Sequence, residues 1–212
     1  LFAVLSMLIW ATTYPITDVL LVTWDPLSLG MTRVLGAGIL LGLIAIALGA
    51  IHLPWRDWPV KQACLTGAVG MGLGTVLMNF GFLYSNPVNV AVIATTIPVV
   101  SVIMGMVRGE ERLTFRFGIA LCFALAGGVL VSISNLKTEV GFQGGELLMV
   151  IAVVLWTWFS RVSVSKLRVI PAFPRAALTL TAAGITLLPF VVLIQWGGVV
   201  DLSFSWSLSE LG

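Results

Sequence analysis

Apolar residues along this chain run in continuous blocks about twenty residues long rather than alternating with polar ones, and short polar breaks separate the blocks. A helix needs about 20 mostly apolar residues to cross a bilayer core of about 30 Å. Backbone polar groups in lipid must be satisfied internally, so only helices or closed barrels can span, and barrel strands alternate. The continuous runs therefore exclude a barrel. The pattern predicts seven transmembrane helices over Leu1–Val22, Pro26–Leu48, Ala63–Tyr84, Val88–Val107, Phe115–Ser134, Gly145–Ser163 and Ala176–Trp196. Turn-forming sequences mark the breaks, among them TWDP, HLPWRDWP, SNPVN and VIPAFPR, and the chain turns polar after Trp196.

Composition agrees. Of 212 residues, 59% are hydrophobic and 9% charged, with a mean hydropathy of +1.10, whereas soluble domains carry about 25% charged residues. Such a chain cannot cover a water-soluble surface, and the lipid bilayer is its first partner. A net charge of +2 gives no reason to expect a nucleic-acid partner. Placement of the bases says more than their sum. The breaks after the second, fourth and sixth spans hold Arg56 and Lys61, then Arg108, Arg112 and Arg116, then Arg161, Lys166, Arg168 and Arg175; the other side has Lys137. Nine bases against one place the even-numbered breaks, and the N-terminus, in the cytoplasm. Cys64 and Cys122 each sit inside an apolar run, which reads as two small membrane-buried thiols rather than a disulfide. His52 has no cysteine nearby and makes no metal site. The chain begins at Leu1, inside an apolar run and without Met, so the expectation is that further residues precede it.

LFAVLSMLIWATTYP from Leu1 aligns with LLMVIAVVLWTWFSR from Leu147 at an offset of 146 residues, which sets Trp10 on Trp156. The first span enters from the cytoplasm and the sixth from outside, so the two copies are inverted. Bases agree: none follows Trp10 closely, whereas Arg161, Lys166 and Arg168 follow Trp156. Inverted repeats recur in secondary transporters, with the substrate near the midplane between them. A five-helix repeat would make residues 1–134 the first repeat and residues 145–212 the start of a second, with about three further helices expected beyond Gly212.

Several of these segments resemble the EamA-type members of the drug/metabolite transporter superfamily. LIWATTYPI resembles the family's first-helix pattern, and DPLSLGMTRVLGAGILL its second, with Pro at the entrance and an Arg inside. NFGFLYSNPVNVAVIATTIPVVSVIMGMVRGEERLTFRFGIALCFALAGGVLV is the most specific match. It has a tyrosine, a short polar loop, a threonine-proline helix, a Gly-Glu-Arg-Leu-like turn and a Gly-rich fifth helix. Here the turn reads Gly109, Glu110, Glu111, Arg112, Leu113, with one extra acid; the family's glutamate falls on Glu111, with Glu110 as the alternative. The resemblance implies an all-α membrane bundle of ten helices in two inverted repeats, of which seven would be present here. It implies an inner-membrane carrier of small metabolites, often an exporter of amino acids or related compounds, with no cofactor.

Candidate pathway residues follow from polarity inside the spans. Arg33 lies about two turns into the second span; it either snorkels to the interface or faces a cavity, where it would bind a carboxylate or pair with an acid. Trp10, Thr13, Tyr14 and Pro15 make a polar, kinked patch in the first span, echoed by Trp156. Asn79, Thr95, Thr96 and Pro98 are polar or helix-breaking positions that either join helices or touch substrate. Glu110, Glu111 and Arg112 form a cytoplasmic turn and candidate inner gate. The glycines from Gly67 to Gly74 lack the Gly-Lys-Ser/Thr of a phosphate loop. With Gly38 and Gly42 they read as close-packing positions.

Three function classes compete. A secondary transporter suits the inverted repeat and needs no ATP-binding motif. A seven-helix receptor or sensor suits the helix count, but the last span has no lysine for a retinal Schiff base. An intramembrane enzyme lacks support, because the spans hold no His pair, Ser/His pair or paired acids. A homodimer is compatible with all three.

Overall fold

The computed structural model describes residues 2–50, 57–110 and 144–196, with scattered positions between 114 and 130. Every regular element among these residues is a helix. In chain order they are α1 (Phe2–Ala11), α2 (Thr13–Leu20), α3 (Pro26–Ala47), α4 (Val60–Thr66), a π-helical segment (Gly67–Leu73), α5 (Gly74–Leu83), α6 (Pro87–Ala94), α7 (Ile97–Val107), α8 (Gly145–Ser165) and α9 (Ala172–Trp196).

Four stretches are continuous, apolar and long enough to cross a membrane: Pro26–Ala47, Val60–Leu83, Gly145–Ser165 and Ala172–Leu193. They coincide with the second, third, sixth and seventh expected spans. The first and fourth expected spans are each broken in two, and the same four-residue pattern breaks both. Thr12, at the head of Thr12-Thr13-Tyr14-Pro15, separates α1 from α2, and Thr95 and Thr96, at the head of Thr95-Thr96-Ile97-Pro98, separate α6 from α7. Proline removes the amide that would bond the carbonyl four residues back, so each helix ends at an alanine, Ala11 or Ala94. The hydroxyls ahead of each proline bond backward: Thr12 donates to Ile9 O at 2.7 Å, Thr95 to Val92 O and Thr96 to Ile93 O at 2.6 Å each. The expected fifth span falls mostly outside the described residues, as do His52, Trp55 and Arg56.

Local chemistry sets the other boundaries. Asp25 caps α3, its carboxylate accepting from Leu27 N at 2.9 Å and Ser28 N at 3.1 Å, with Pro26 in the first helical position. α9 starts at Ala172 rather than Ala176, because Pro174 sits in the first turn, where no amide needs an intrahelical partner. Gly144, at φ +99°, turns the chain into α8. There a side chain on Gly145 would collide with the Tyr84 carbonyl, and Gly145 N donates to that oxygen at 2.9 Å.

Polarity is distributed opposite to that of a soluble protein. Thr17, Thr66, Thr75, Asn79, Thr157 and Thr179 are buried, while Ile39, Leu40, Leu43 and Ile46 of α3 stand exposed. Buried polar groups and broad exposed apolar surface are the informative deviations, and lipid accounts for both. α3 and α9 make the most extensive helix pair. Their core joins Leu27 and Val34 to Ala183, Leu187 and Val191, with Met71 from the π-helical segment.

That segment is where the glycine series packs. Two of its glycines leave no room for side chains: a Cβ on Gly70 would lie 2.5 Å from Phe159 Cβ of α8, and one on Gly67 would collide with the Thr179 carbonyl of α9. The third span is therefore wedged between α8 and α9. Its widened turns are of the kind often found beside functional sites.

Candidate functional site

A cavity of about 220 Å³ lies where α1, α3, the third span, α7, α8 and α9 converge. Its wall includes Trp10 of α1, Arg33, Val34 and Ala37 of α3, and Met71, Gly74, Thr75 and Met78 of the third span. Ile97 of α7, Met149, Ala152, Val153 and Trp156 of α8, and Leu180 of α9 complete it. Both broken helices reach it: Trp10 lies two residues before the break at Thr12, and Ile97 opens α7 directly after the other break. Arg33 is the charged member of this wall. Its Nη1 donates to Thr17 Oγ1 at 3.1 Å, and Thr17 is buried, with 1% of its surface exposed. Trp156 leans on Phe159 with ring centroids 6.2 Å apart and planes tilted by 49°.

Three of the sequence candidates, Trp10, Arg33 and Trp156, thus share one cavity. The others lie elsewhere. Asn79 is fully buried, and its amide donates to Pro26 O at 2.8 Å, tying α5 to the start of α3. Thr13 is half-buried off the wall, Pro15 and Pro98 are exposed, and Thr95 and Thr96 bond their own helix. The side chain of Tyr14, and Glu111 and Arg112, lie outside the described residues. The sequence reading missed the three methionines, Met71, Met78 and Met149, because an apolar residue in an apolar span carries no signal of which way it faces. Thr17, the partner of Arg33, was missed too, although sixteen residues back on the preceding helix it was open to suspicion.

Both ends of α8 are tied to its neighbours. At one end Arg161, counted above among loop bases, lies within the helix and reaches inward. Its Nη2 donates to Glu110 Oε2 at 2.7 Å, and its Nη1 to Ser101 O at 3.0 Å and Ser101 Oγ at 3.3 Å. The Arg161 hydrogen bond, with the charges of Arg161 and Arg108, holds the Glu110 carboxyl below its ordinary value. At the other end Glu146 accepts from Ser85 Oγ at 2.6 Å and Asn89 Nδ2 at 3.1 Å through Oε1, and from Gly144 N at 2.9 Å through Oε2.

The model of the EamA-like transporter family matches residues 1–133, more than half of the chain. The chain belongs to that family. It is 28% identical over 132 residues, 62% of its length, to a Streptantibioticus cattleyicolor protein described as "Probable terminal-alkyne amino-acid exporter", of which it covers 44%. It is 26% identical over 183 residues, 85% of its length, to the "Uncharacterized inner membrane transporter YedA" of Escherichia coli K12, of which it covers 58%. The chain thus spans about half the length of the curated relatives it matches. No solved structure matches it. Family and apolar helices together make this EamA-type chain part of a multi-pass membrane protein.

Proposed function

We propose that this EamA-type chain serves a secondary transporter that exports small metabolites, amino acids or related compounds, by alternating access. The observation that carries the reading is the cavity. Residues aligned by the internal repeat, Trp10 and Trp156, stand on one wall beside the intramembrane Arg33, and two broken helices abut it. Transporter sites are built at repeat interfaces from discontinuous helices and intramembrane ionisable groups. In this reading the chain crosses the membrane seven times with a cytoplasmic N-terminus. Residues 1–134 form one repeat, and residues 145–212 begin its inverted partner. The amino-acid exporter among the relatives supports the substrate class.

Alternating access needs contacts that close one end of the pathway at a time. Arg161 with Glu110 and Ser101 at one end of α8, and Glu146 with Ser85 and Asn89 at the other, serve as the two gates. The test is reconstitution of the full-length protein in liposomes and an uptake screen of amino acids and amines, with and without a pH gradient. Solute flux above protein-free liposomes is expected. No flux of any solute through protein shown to be folded overturns the reading.

A further inference from the structure

Arg33 brings a full positive charge about two turns into α3. Its described partner is the Thr17 hydroxyl, which orients a guanidinium without neutralising it. The ion pair present among the described residues is Arg161 with Glu110, so no described carboxylate answers Arg33. Arg33 is half-buried, and a charge within a membrane span that has no described counter-charge is costly and points to a functional site with a charged partner. The planar fork matches a carboxylate edge-on, and of its five N–H donors the bond to Thr17 uses one. A single guanidinium balances a single negative charge.

The rest of the wall defines the body of that partner. Trp10 and Trp156 offer ring surfaces, and Met71 and Met149 offer adaptable thioethers. At about 220 Å³ the space is smaller than the roughly 300–1,000 Å³ typical of drug-sized sites. None of the lining residues is acidic, so a substrate ammonium finds no counter-charge there.

We propose that Arg33 is the anion-recognition residue of the cavity, and that the preferred solute is a small monocarboxylate with an apolar body, its amino group dispensable. The proposal rests on the transporter reading above and narrows it.

The test is displacement of radiolabelled 3-phenylpropanoate from the purified full-length protein. Phenylalanine is expected to compete within a few-fold, and phenethylamine not to compete. Arg33→Gln is expected to weaken 3-phenylpropanoate about ten- to hundredfold, the usual worth of a hydrogen bond to a charged group. The same variant should bind the neutral 3-phenylpropanamide as the wild type does, which shows that the cavity is intact. Should Arg33→Gln lose the amide as well, Arg33→Lys decides the matter: a retained preference for carboxylate over amine supports the proposal, and a lost preference overturns it. Equal binding of amine and carboxylate by the wild type, no binding of either, or unchanged carboxylate affinity in Arg33→Gln also overturns it. In each of those cases, flux of any solute in the uptake screen leaves the transporter reading standing; absence of all flux removes that reading as well.

Discussion

Gly38 and Gly42 lie one turn apart on α3 and face the same partner helix, yet alanine should affect them in opposite ways. A Cβ on Gly38 would sit 2.6 Å from both the backbone N and Oγ1 of Thr181, and 3.0 Å from the Leu180 carbonyl carbon. On Gly42 the nearest atom would be Ala177 Cβ at 3.8 Å, an ordinary contact, and on Gly36 nothing lies within 4 Å. Ordinary contact begins at 3.4 Å, so Gly38→Ala must open the α3–α9 seam by about 0.8 Å, the difference from 2.6 Å. Each substitution gains up to about 1 kcal/mol of helix propensity. Only Gly38→Ala also incurs overpacking, about 1–3 kcal/mol. The propensity gain cancels in the comparison, so Gly38→Ala should fall below Gly42→Ala by about 1–3 kcal/mol. The assay is unfolding of the full-length protein in micelles by added SDS, followed by tryptophan fluorescence, with Gly36→Ala as a second reference. If Gly38→Ala and Gly42→Ala agree within about 0.5 kcal/mol, the usual scatter between independent sites, the close approach of α3 to Thr181 is refuted.

The other predictions concern the gate, the cavity wall and the buried amide. Because the Glu110 carboxyl is held below its ordinary value, its contact with Arg161 should be complete above the ordinary carboxylate range and lost as pH falls through the lowered value. Maleimide labelling of Ser101→Cys, in a background lacking Cys64 and Cys122, should be several-fold faster with Glu110→Gln at neutral pH; equal rates would sink the gate assignment. Trp10→Ala should weaken an aromatic solute about two- to tenfold, the worth of one aromatic contact, measured by the concentration dependence of uptake. Asn79→Ala should cost about 0.5–1.5 kcal/mol for the bond to Pro26 O, plus a small loss for the void. Because Asn79 stands off the cavity wall, relative uptake of different solutes should stay as in the wild type; a changed preference would place Asn79 in the pathway.

The four long helices were legible because a bilayer demands an apolar run of fixed length, and that demand is written one residue at a time. Helix continuity was not. Thr-Thr-X-Pro occurs in both broken spans, and proline was recognised as a kink, yet hydropathy counts these residues without regard to lost amides. Glycine spacing announced close packing but did not separate Gly38 from Gly42, because the partner's backbone at Thr181 makes the difference. The π-helical widening at Gly67–Leu73 escaped for a related reason: the stretch lies against Phe159 of α8 and Thr179 of α9, neighbours that a sequence does not display. Of the site, the residues that stand out in an apolar span, two tryptophans and an arginine, were found. The aliphatic and thioether wall was not, and neither was Arg161, a base near a helix end that reads as a topological marker until its reach to Ser101 is seen.

The ties at Glu146 and Arg161 also give α8 a mechanical advantage. They lie fifteen residues apart on a continuous helix, with Trp156 ten residues from the first and five from the second. At about 1.5 Å per residue the rod between them is about 22 Å long. If Arg161 lets go and the rod swings about Glu146, Trp156 travels about two-thirds as far as the freed end; if Glu146 lets go, about one-third. The lever arm is twice as long for release at Arg161, so the same displacement there moves the tryptophan wall twice as far.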